Sequence, residues 1–539
     1  MQFDYVIVGG GSAGCVLANR LTEDPNVKVC LLEAGGGGNS ILVRLPVGIT
    51  AMVPGKPVKV NNWCFETVEQ PGLNGRKGYQ PLGKALGGGS AINVMLYVRG
   101  QRQDYDEWAN LGCEGWDWDS VLPYFKKSEN NERGANDAHG ADGPLQVSNQ
   151  KEPRPITSAF IEAAKQLKVR ERDDFNAGDN EGVGYYQVTQ YYEKDKNGER
   201  CSAAAAYLFP VMDRPNLTVI TKAFATGVVF EGKRATGVTY KENGKGKEIT
   251  VKAKREVLLC SGALRTPQLL QLSGVGDPED LEKHGITVRH NLPGVGKNLQ
   301  DHVDFSLIYR SGDTDNFGIG AVGAAKLIGH LNRWRKTGVS MASTCFGEGA
   351  AFLTTSPELE RPDVQLIFTI ALLDDHSRKL HYGYGFSCHV CKLRPESRGS
   401  LTLNSADPLA MPAIDPKFLS DDRDLETLIK GAKLLREILH APALEKYRKK
   451  ELYGADTANT DADWEKHIRS RADTIYHPVG TCKMGTDDMA VVDPQLRVRG
   501  LEGLRVVDAS IMPNLISGNT NAPTMMIAEK AADMIKAAS

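Results

Sequence analysis

Long apolar runs are missing from this sequence: its 539 residues contain no stretch of the roughly 20 apolar side chains that a membrane-spanning helix requires. An excess of either charge is missing as well. With Lys+Arg 65 against Asp+Glu 67 the formal net charge is -2, so no global field draws the chain to nucleic acid or an acidic surface, and partners must be argued from local sites. No basic region, apolar core and cleavage site precede the opening MQFDYVIVGGGSAG, which gives the expectation of a cytoplasmic protein. No zinc-ligand spacing is found, so no metal is expected. Of ten cysteines the only close pair is Cys388 and Cys391 in GFSCHVCKL. The alternation around them reads as a strand, in which an odd spacing sends the two thiols to opposite faces and away from shared chemistry.

What is present is a chain several times the usual domain length, with 41% hydrophobic and 24% charged residues, which predicts a globular protein of two domains. Tyr5 to Val8 is β-rich, Gly9 to Gly14 is a glycine turn, Cys15 to Leu21 continues helically, and Val27 to Leu32 is apolar again. That is one βαβ unit. The later runs TVITKAFATGVVF, REVLLCSGA and LRVVDAS share the short β-rich character and are candidates to complete the same sheet. Two stretches differ in texture: about 150 to 200 is polar and turn-rich, and about 310 to 465 carries alternating runs such as DVQLIFTIALL and YGFSCHVCKL. They read as an inserted substrate domain on an antiparallel sheet, because the runs alternate rather than stay continuously apolar. The segment GIGAVGAAKLIGHLNRWRK, residues 318 to 336, is glycine-rich, then apolar, then basic. It fits a mobile lid or membrane-surface helix, and equally an ordinary packed helix.

Gly9-Gly10-Gly11-Ser12-Ala13-Gly14 satisfies GxGxxG in the required context, after a strand and before a helix. The first glycine permits the tight turn, the second lets backbone approach a pyrophosphate, and the third lets helix pack on strand. Glu33 follows Gly14 by nineteen residues, at the end of the second strand, where a carboxylate accepts hydrogen bonds from a ribose. A nicotinamide or a flavin dinucleotide fits this half-site. A second glycine-dense stretch, Gly83 to Asn93, suits close approach along an extended part of a cofactor, or a mobile loop.

These two motifs, with GALRTPQLLQLSGVG at 262 to 276, GVGKNLQDH at 294 to 302, HPVGTCKMG from His477, and the C-terminal VVDASIMP and GNTNAPTMMIAEKAA, carry a resemblance to the glucose-methanol-choline oxidoreductases over nearly the whole chain. The likeness is greatest to bacterial alkanol, polyethylene-glycol and choline dehydrogenases. The resemblance implies an α/β fold in which a Rossmann-like FAD-binding domain (1–155, 198–309 and 466–539) is interleaved with a substrate domain (156–197 and 310–465) built on an antiparallel sheet flanked by helices. It implies FAD, with Gly9, Gly11, Ser12, Ala13, Gly14, Glu33 and Ala34 at the adenosine half and Gly87, Gly88, Asn93 and Val94 at the ribityl-flavin half. Ala225 and Ser261 would contact the adenosine region, while Asp508, Ala509, Asn519, Ala522 and Pro523 would close over diphosphate and ring.

The catalytic pair implied is His477 and Asn521. An alcohol carbon releases hydride readily only as its hydroxyl becomes an alkoxide, so the chemistry needs a base of imidazole type. Asn521 cannot be that base, but its amide can donate to the developing oxyanion. Read alone, a histidine before proline is more readily structural; the family match reverses this and assigns His477 the proton. The other ten histidines, including His302 and His467, are read as structural or surface residues.

Three positions depart from the family pattern. Leu82 stands where many relatives carry arginine, Ile92 stands where covalently flavinylated members carry the tethering histidine, and Asn521 stands where some have a second histidine. Noncovalent FAD is therefore expected, with proton transfer resting on His477. Glu348, in GEGAAFL, and Tyr476 are candidate substrate contacts. Glu348 would suit a quaternary ammonium, yet SMASTCF before it lacks the aromatics of a cation cage, which favours a neutral primary alcohol over choline. The expected reaction is oxidation of that alcohol to the aldehyde, with electrons passed to a quinone or other acceptor. Use of oxygen, choline oxidation and an FAD-containing lyase are the alternatives. Peripheral membrane association at the cytoplasmic face would follow from the surface-helix reading of 318 to 336.

Overall fold

Thirteen strands build the two main sheets of the computed structural model, which describes residues 1–193 and 195–538. In chain order the first seven are β1 (Gln2–Val8), β2 (Val29–Leu32), β3 (Gly182–Tyr185), β4 (Leu217–Ile220), β5 (Ala223–Glu231), β6 (Arg234–Glu242) and β7 (Lys245–Leu259). Then come β8 (Val303–Ser311), β9 (Gly347–Leu353), β10 (Val364–Thr369), β11 (Tyr384–Lys392), β12 (Asp473–Thr474) and β13 (Leu504–Val506). The helices that position or cover the site are α1 (Ser12–Leu21), α2 (Pro155–Gln166), α3 (Ala321–Thr337), α4 (Asp422–His440) and α5 (Asn521–Ala537).

The first sheet runs β4-β2-β1-β7-β6-β5, with β13 alongside β7. Its β4, β2, β1, β7 and β13 are parallel, and β7, β6 and β5 form an antiparallel meander. Tyr5 to Val8 and Val29 to Leu32 are buried throughout, as a parallel sheet covered on both faces requires. The crossover helix α1 packs tightly on β1 because residue 14 is glycine: a Cβ there would lie 1.9 Å from the Gly9 carbonyl oxygen. The runs TVITKAFATGVVF, REVLLCSGA and LRVVDAS supply β4 with β5, the end of β7, and β13, all in this sheet.

The second sheet runs β12-β8-β11-β10-β9-β3 and is antiparallel throughout. DVQLIFTIALL and YGFSCHVCKL supply β10 and β11. Leu307, Cys388 and Phe368 lie side by side across β8, β11 and β10, on the face that packs against Leu428 and Leu435 of α4. The alternate residues, among them Ser306, His389 and Ile367, point the other way. Cys388 and Cys391 are buried, unpaired and on opposite faces of β11. The architecture is thus α/β, a doubly covered parallel sheet joined to an antiparallel one.

Residues 321 to 337 form α3, none of whose residues is buried. Leu327, Leu331 and Trp334 rest on the second core, while Val322 and Ile328 face outward. Among the described residues no helix is long and apolar enough to cross a membrane.

Candidate active site

A cavity of about 710 Å³ lies between the sheets, bordered at one end by Gly9, Gly11 and Glu33 and at the other by His477. At the first end the backbone is forced by glycine. Gly9 has φ +105°, and a Cβ there would stand 2.6 Å from the Cys260 carbonyl oxygen. Gly88, with φ +51°, would place a Cβ 2.7 Å from the Gly11 Cα, so the two glycine segments touch backbone to backbone. Gly11 caps α1 without a side-chain hydrogen bond, and the first turn carries no acidic residue. The helix start therefore offers uncapped N–H donors to the cavity, the arrangement that suits a phosphate.

Glu33 closes this end. Its carboxylate accepts from the Gly10 N–H at 2.9 Å and the Gly35 N–H at 2.7 Å, and burial pushes it above the usual carboxylate range despite those two donors. Ala34, Ala225 and Ser261 continue the wall. Asp508 lines it too, accepting from Gly262 N–H at 2.8 Å, the Thr266 hydroxyl at 2.6 Å and Ser510 N–H at 2.8 Å. Ser12, Ala13, Gly88, Asn93, Val94, Ala509 and Asn519 also border the cavity. Four expected cofactor residues stand one layer back. Gly14 packs on Gly9, Gly87 donates its N–H to the Gly10 carbonyl at 2.7 Å, and Ala522 and Pro523 are buried in the first turn of α5. The uncapped helix start, the backbone-only approach at Gly9, Gly11 and Gly88, and the carboxylate at a strand end fit an elongated dinucleotide.

At the far end the side chains form a directed hydrogen-bond chain. His302 Nε2 lies 2.9 Å from the Leu393 carbonyl oxygen, which can only accept, so this nitrogen carries hydrogen. Burial lowers His302 to about 4, leaving the ring neutral and its Nδ1 an acceptor. His477 Nδ1 lies 2.9 Å from that atom and must be the donor. His477 Nε2 is then left with a lone pair, and it accepts from the Asn519 amide Nδ2 at 3.1 Å. Burial, followed by repulsion from His302, holds His477 well below the usual imidazole range. Asp301 fixes the loop by accepting the His477 N–H at 2.9 Å, together with Gln80 Nε2 at 3.0 Å and the Thr474 hydroxyl at 2.5 Å. Its own burial pushes it up to about 7.

The carboxamide that meets His477 is thus Asn519, two residues before the one the sequence pointed to. Asn521 borders the same cavity, but its Oδ1 accepts from the Ser12 hydroxyl at 2.8 Å and ties the start of α5 to α1. Tyr476 lines the cavity with its hydroxyl 2.5 Å from His376 Nδ1. Glu348 is not part of the wall. Gly347 faces the cavity, and the strand period sends the next side chain to the opposite side. There Glu348 accepts from Arg154 N–H and the Thr157 hydroxyl, both at 2.7 Å, and so caps α2 rather than meeting substrate. Ile92 and Leu82 border the cavity with apolar side chains.

His302 and the polar residues Asp304 and His389 of the roof escaped the sequence reading. The motif GVGKNLQDH ends on His302, and the alternation of YGFSCHVCKL puts His389 on the face away from Phe386 and Cys388, but neither says what lies across the cavity.

Comparison with known proteins accords with this geometry. The N-terminal and C-terminal models of the GMC oxidoreductase family match residues 3–304 and 395–528. Over 542 residues the chain is 46% identical to an alcohol dehydrogenase (acceptor) of Pseudomonas putida, covering 99% of this chain and 96% of that protein. It is 43% identical to the mitochondrial choline dehydrogenase of Homo sapiens, covering 99% and 90%. Among solved structures, the pyridoxine 4-oxidase from Mesorbium loti superposes with a TM-score of 0.87 at 31% identity, covering 98% of each chain. A formate oxidase of Aspergillus oryzae RIB40 gives 0.90 at 26%, covering 100% of this chain and 98% of that one. With both halves of the family matched in order around one glycine-walled cavity, the chain belongs to the GMC oxidoreductases.

Proposed function

We propose that the chain oxidises a primary alcohol to its aldehyde with FAD held in this cavity. The observation that carries the reading is the chain Leu393 carbonyl, His302, His477, Asn519, which leaves His477 Nε2 as an unprotonated acceptor in the cavity that begins at the glycine cradle. Bound FAD supplies the two-electron acceptor that alcohol oxidation requires. His477 Nε2 takes the hydroxyl proton as the substrate carbon gives up its hydrogen. His302 Nδ1 holds the other ring nitrogen of His477 as donor, so the imidazolium formed stays hydrogen-bonded on that side. Asn519 Nδ2, beside the base, donates to the substrate oxygen as negative charge grows there. Asn521 acts by holding α5 against the start of α1. The names of two relatives, an alcohol dehydrogenase and a choline dehydrogenase, support the substrate class.

Ile92 offers no nucleophilic atom to a flavin, which supports noncovalent binding. A quinone or similar compound is the proposed electron acceptor, with oxygen as the rival. Peripheral attachment is supported by α3, where Val322 and Ile328 are exposed beside Lys326, Arg335 and Lys336 and the helix carries no acidic residue. Flotation with acidic lipid vesicles tests it, and a chain that stays at the bottom of the gradient rules it out. The function itself is tested by anaerobic mixing with primary alcohols and choline, followed by a quinone-like dye or oxygen. Bleaching of the flavin by an alcohol is expected, with release of FAD on acid denaturation. Failure of every alcohol to bleach it would favour a lyase or a catalytically silent flavoprotein.

A further inference from the structure

The roof of the substrate end is polar, and its polarity is set by strand register. Ser306, His389 and Ile367 lie side by side across β8, β11 and β10, and Asp304 sits one step along the same face, opposite Cys391 and Gln365. Asp304, Ser306, Ile367, Thr369 and His389 all border the cavity. Residue 302 immediately precedes β8, in which Asp304 and Ser306 share a face at a spacing of about 7 Å. The polar roof therefore begins within two residues of the histidine that supports the base.

His389 Nδ1 and Asp304 Oδ2 form a close hydrogen bond, which commits the Nδ1 hydrogen to the carboxylate. The other ring nitrogen, Nε2, is buried and has no partner among the described residues. A buried polar atom without a partner is costly, and one that borders a cavity is an atom for a ligand to satisfy. Asp304 meanwhile is engaged by His389 and is not a bare counter-ion. Arg76, Lys77, Arg378 and Lys379 also border the cavity, together with Asp374, Asp375 and Asp473, so the wall has no net pull on a cation.

We infer that His389, oriented by Asp304, determines specificity by hydrogen-bonding a second, uncharged hydroxyl of the substrate, so that the enzyme prefers diols to plain alkanols and to choline. With the Nδ1 hydrogen committed to Asp304, Nε2 offers a lone pair to which a hydroxyl donates, whereas an ether oxygen has no hydrogen to give. This rests on the alcohol-oxidising reading above. The two fail differently.

The test is anaerobic flavin reduction and steady-state kcat/KM over a series of α,ω-diols, their mono-O-methyl ethers, 1-alkanols of matched length, and choline. The FAD-loaded wild type is compared with His389→Leu and with His389→Gln, which retains hydrogen-bonding capacity. The expected result is a diol-to-alkanol ratio of about tenfold or more at the best chain length, the scale of one hydrogen bond. That ratio should collapse towards one in His389→Leu and recover in part in His389→Gln. A wild-type ratio near one, O-methyl ethers used as well as diols, choline preferred to every diol, or a ratio untouched in both variants would each overturn the inference while leaving alcohol oxidation standing. Absence of flavin reduction by any alcohol would instead remove the underlying function.

Discussion

Replacing His302 tests the chemistry of a residue that touches no substrate. In His302→Ala the His477 Nδ1 hydrogen loses its acceptor, 2.9 Å away, and the Leu393 carbonyl loses its donor. An unsatisfied buried donor costs about 1–3 kcal/mol. If that cost falls on the state in which His477 carries the proton, kcat falls by about five- to 150-fold. FAD content should be unchanged, because His302 does not border the cavity. The pH profile separates this from a loss of packing. Burial and His302 hold His477 well below 6.5, and the neutral ring is the active form, so wild-type kcat/KM should fall only as pH drops far below that value. In His302→Ala the imidazolium loses the acceptor that steadies it, so His477 stays low and the acidic limb does not move up in pH, whereas a mere loss of packing that admitted solvent would relieve the burial and raise it. His302→Asn keeps an acceptor near the Nδ1 position and should retain more activity than the alanine variant. A fully FAD-loaded His302→Ala with kcat within about twofold of wild type, or one whose acidic limb moves up in pH, would refute the reasoning.

Two further expectations concern other parts of the cavity. Gly88→Ala adds a Cβ to a residue at φ +51°, 2.7 Å from the Gly11 Cα; at about 1–3 kcal/mol of strain the variant should lose FAD affinity roughly tenfold or more, read from the flavin-to-protein absorbance ratio. Glu348→Gln should leave the ratio of choline to neutral alcohol turnover unchanged, since the side chain lies outside the cavity. Burial raises its carboxyl from 4.5 to about 7 in the folded state, so the contribution of this one group to stability is full below 4.5 and is lost as pH rises through 7. Thermal melts should therefore shift in favour of the glutamine variant, by up to about 3 kcal/mol, between pH 5 and pH 8. A parallel pH dependence in both proteins would contradict the assignment.

Local geometry was the legible part of the sequence. Gly9, Gly11 and Gly14 are dictated by contacts within one βαβ unit, and Glu33 by the end of its second strand, so a short window reveals them. Alternation in DVQLIFTIALL and YGFSCHVCKL likewise revealed the antiparallel sheet. Asn519 and Asn521 were harder: they flank the start of α5, where no periodicity says which amide turns inward. In GEGAAFL every residue is buried, so polarity does not mark the cavity face and Glu348 could not be excluded by inspection. His302 acts on a ring 175 residues away, and no local pattern encodes such a meeting.

The two histidines meet because two segments distant in sequence run side by side at one edge of the antiparallel sheet. Residues 300 to 304 and 473 to 479 run side by side: Gln300 and Val479 exchange backbone hydrogen bonds, Ile475 N–H reaches the His302 carbonyl at 3.1 Å, and Val303 and Asp304 face Thr474 and Asp473. This seam belongs to both halves of the molecule. Were the roof to swing away from the nucleotide floor to admit a substrate, the axis of that swing would run through the seam, and the proton-handling pair would ride on the pivot with its spacing intact. In such a motion the doorway would widen while the base stayed set.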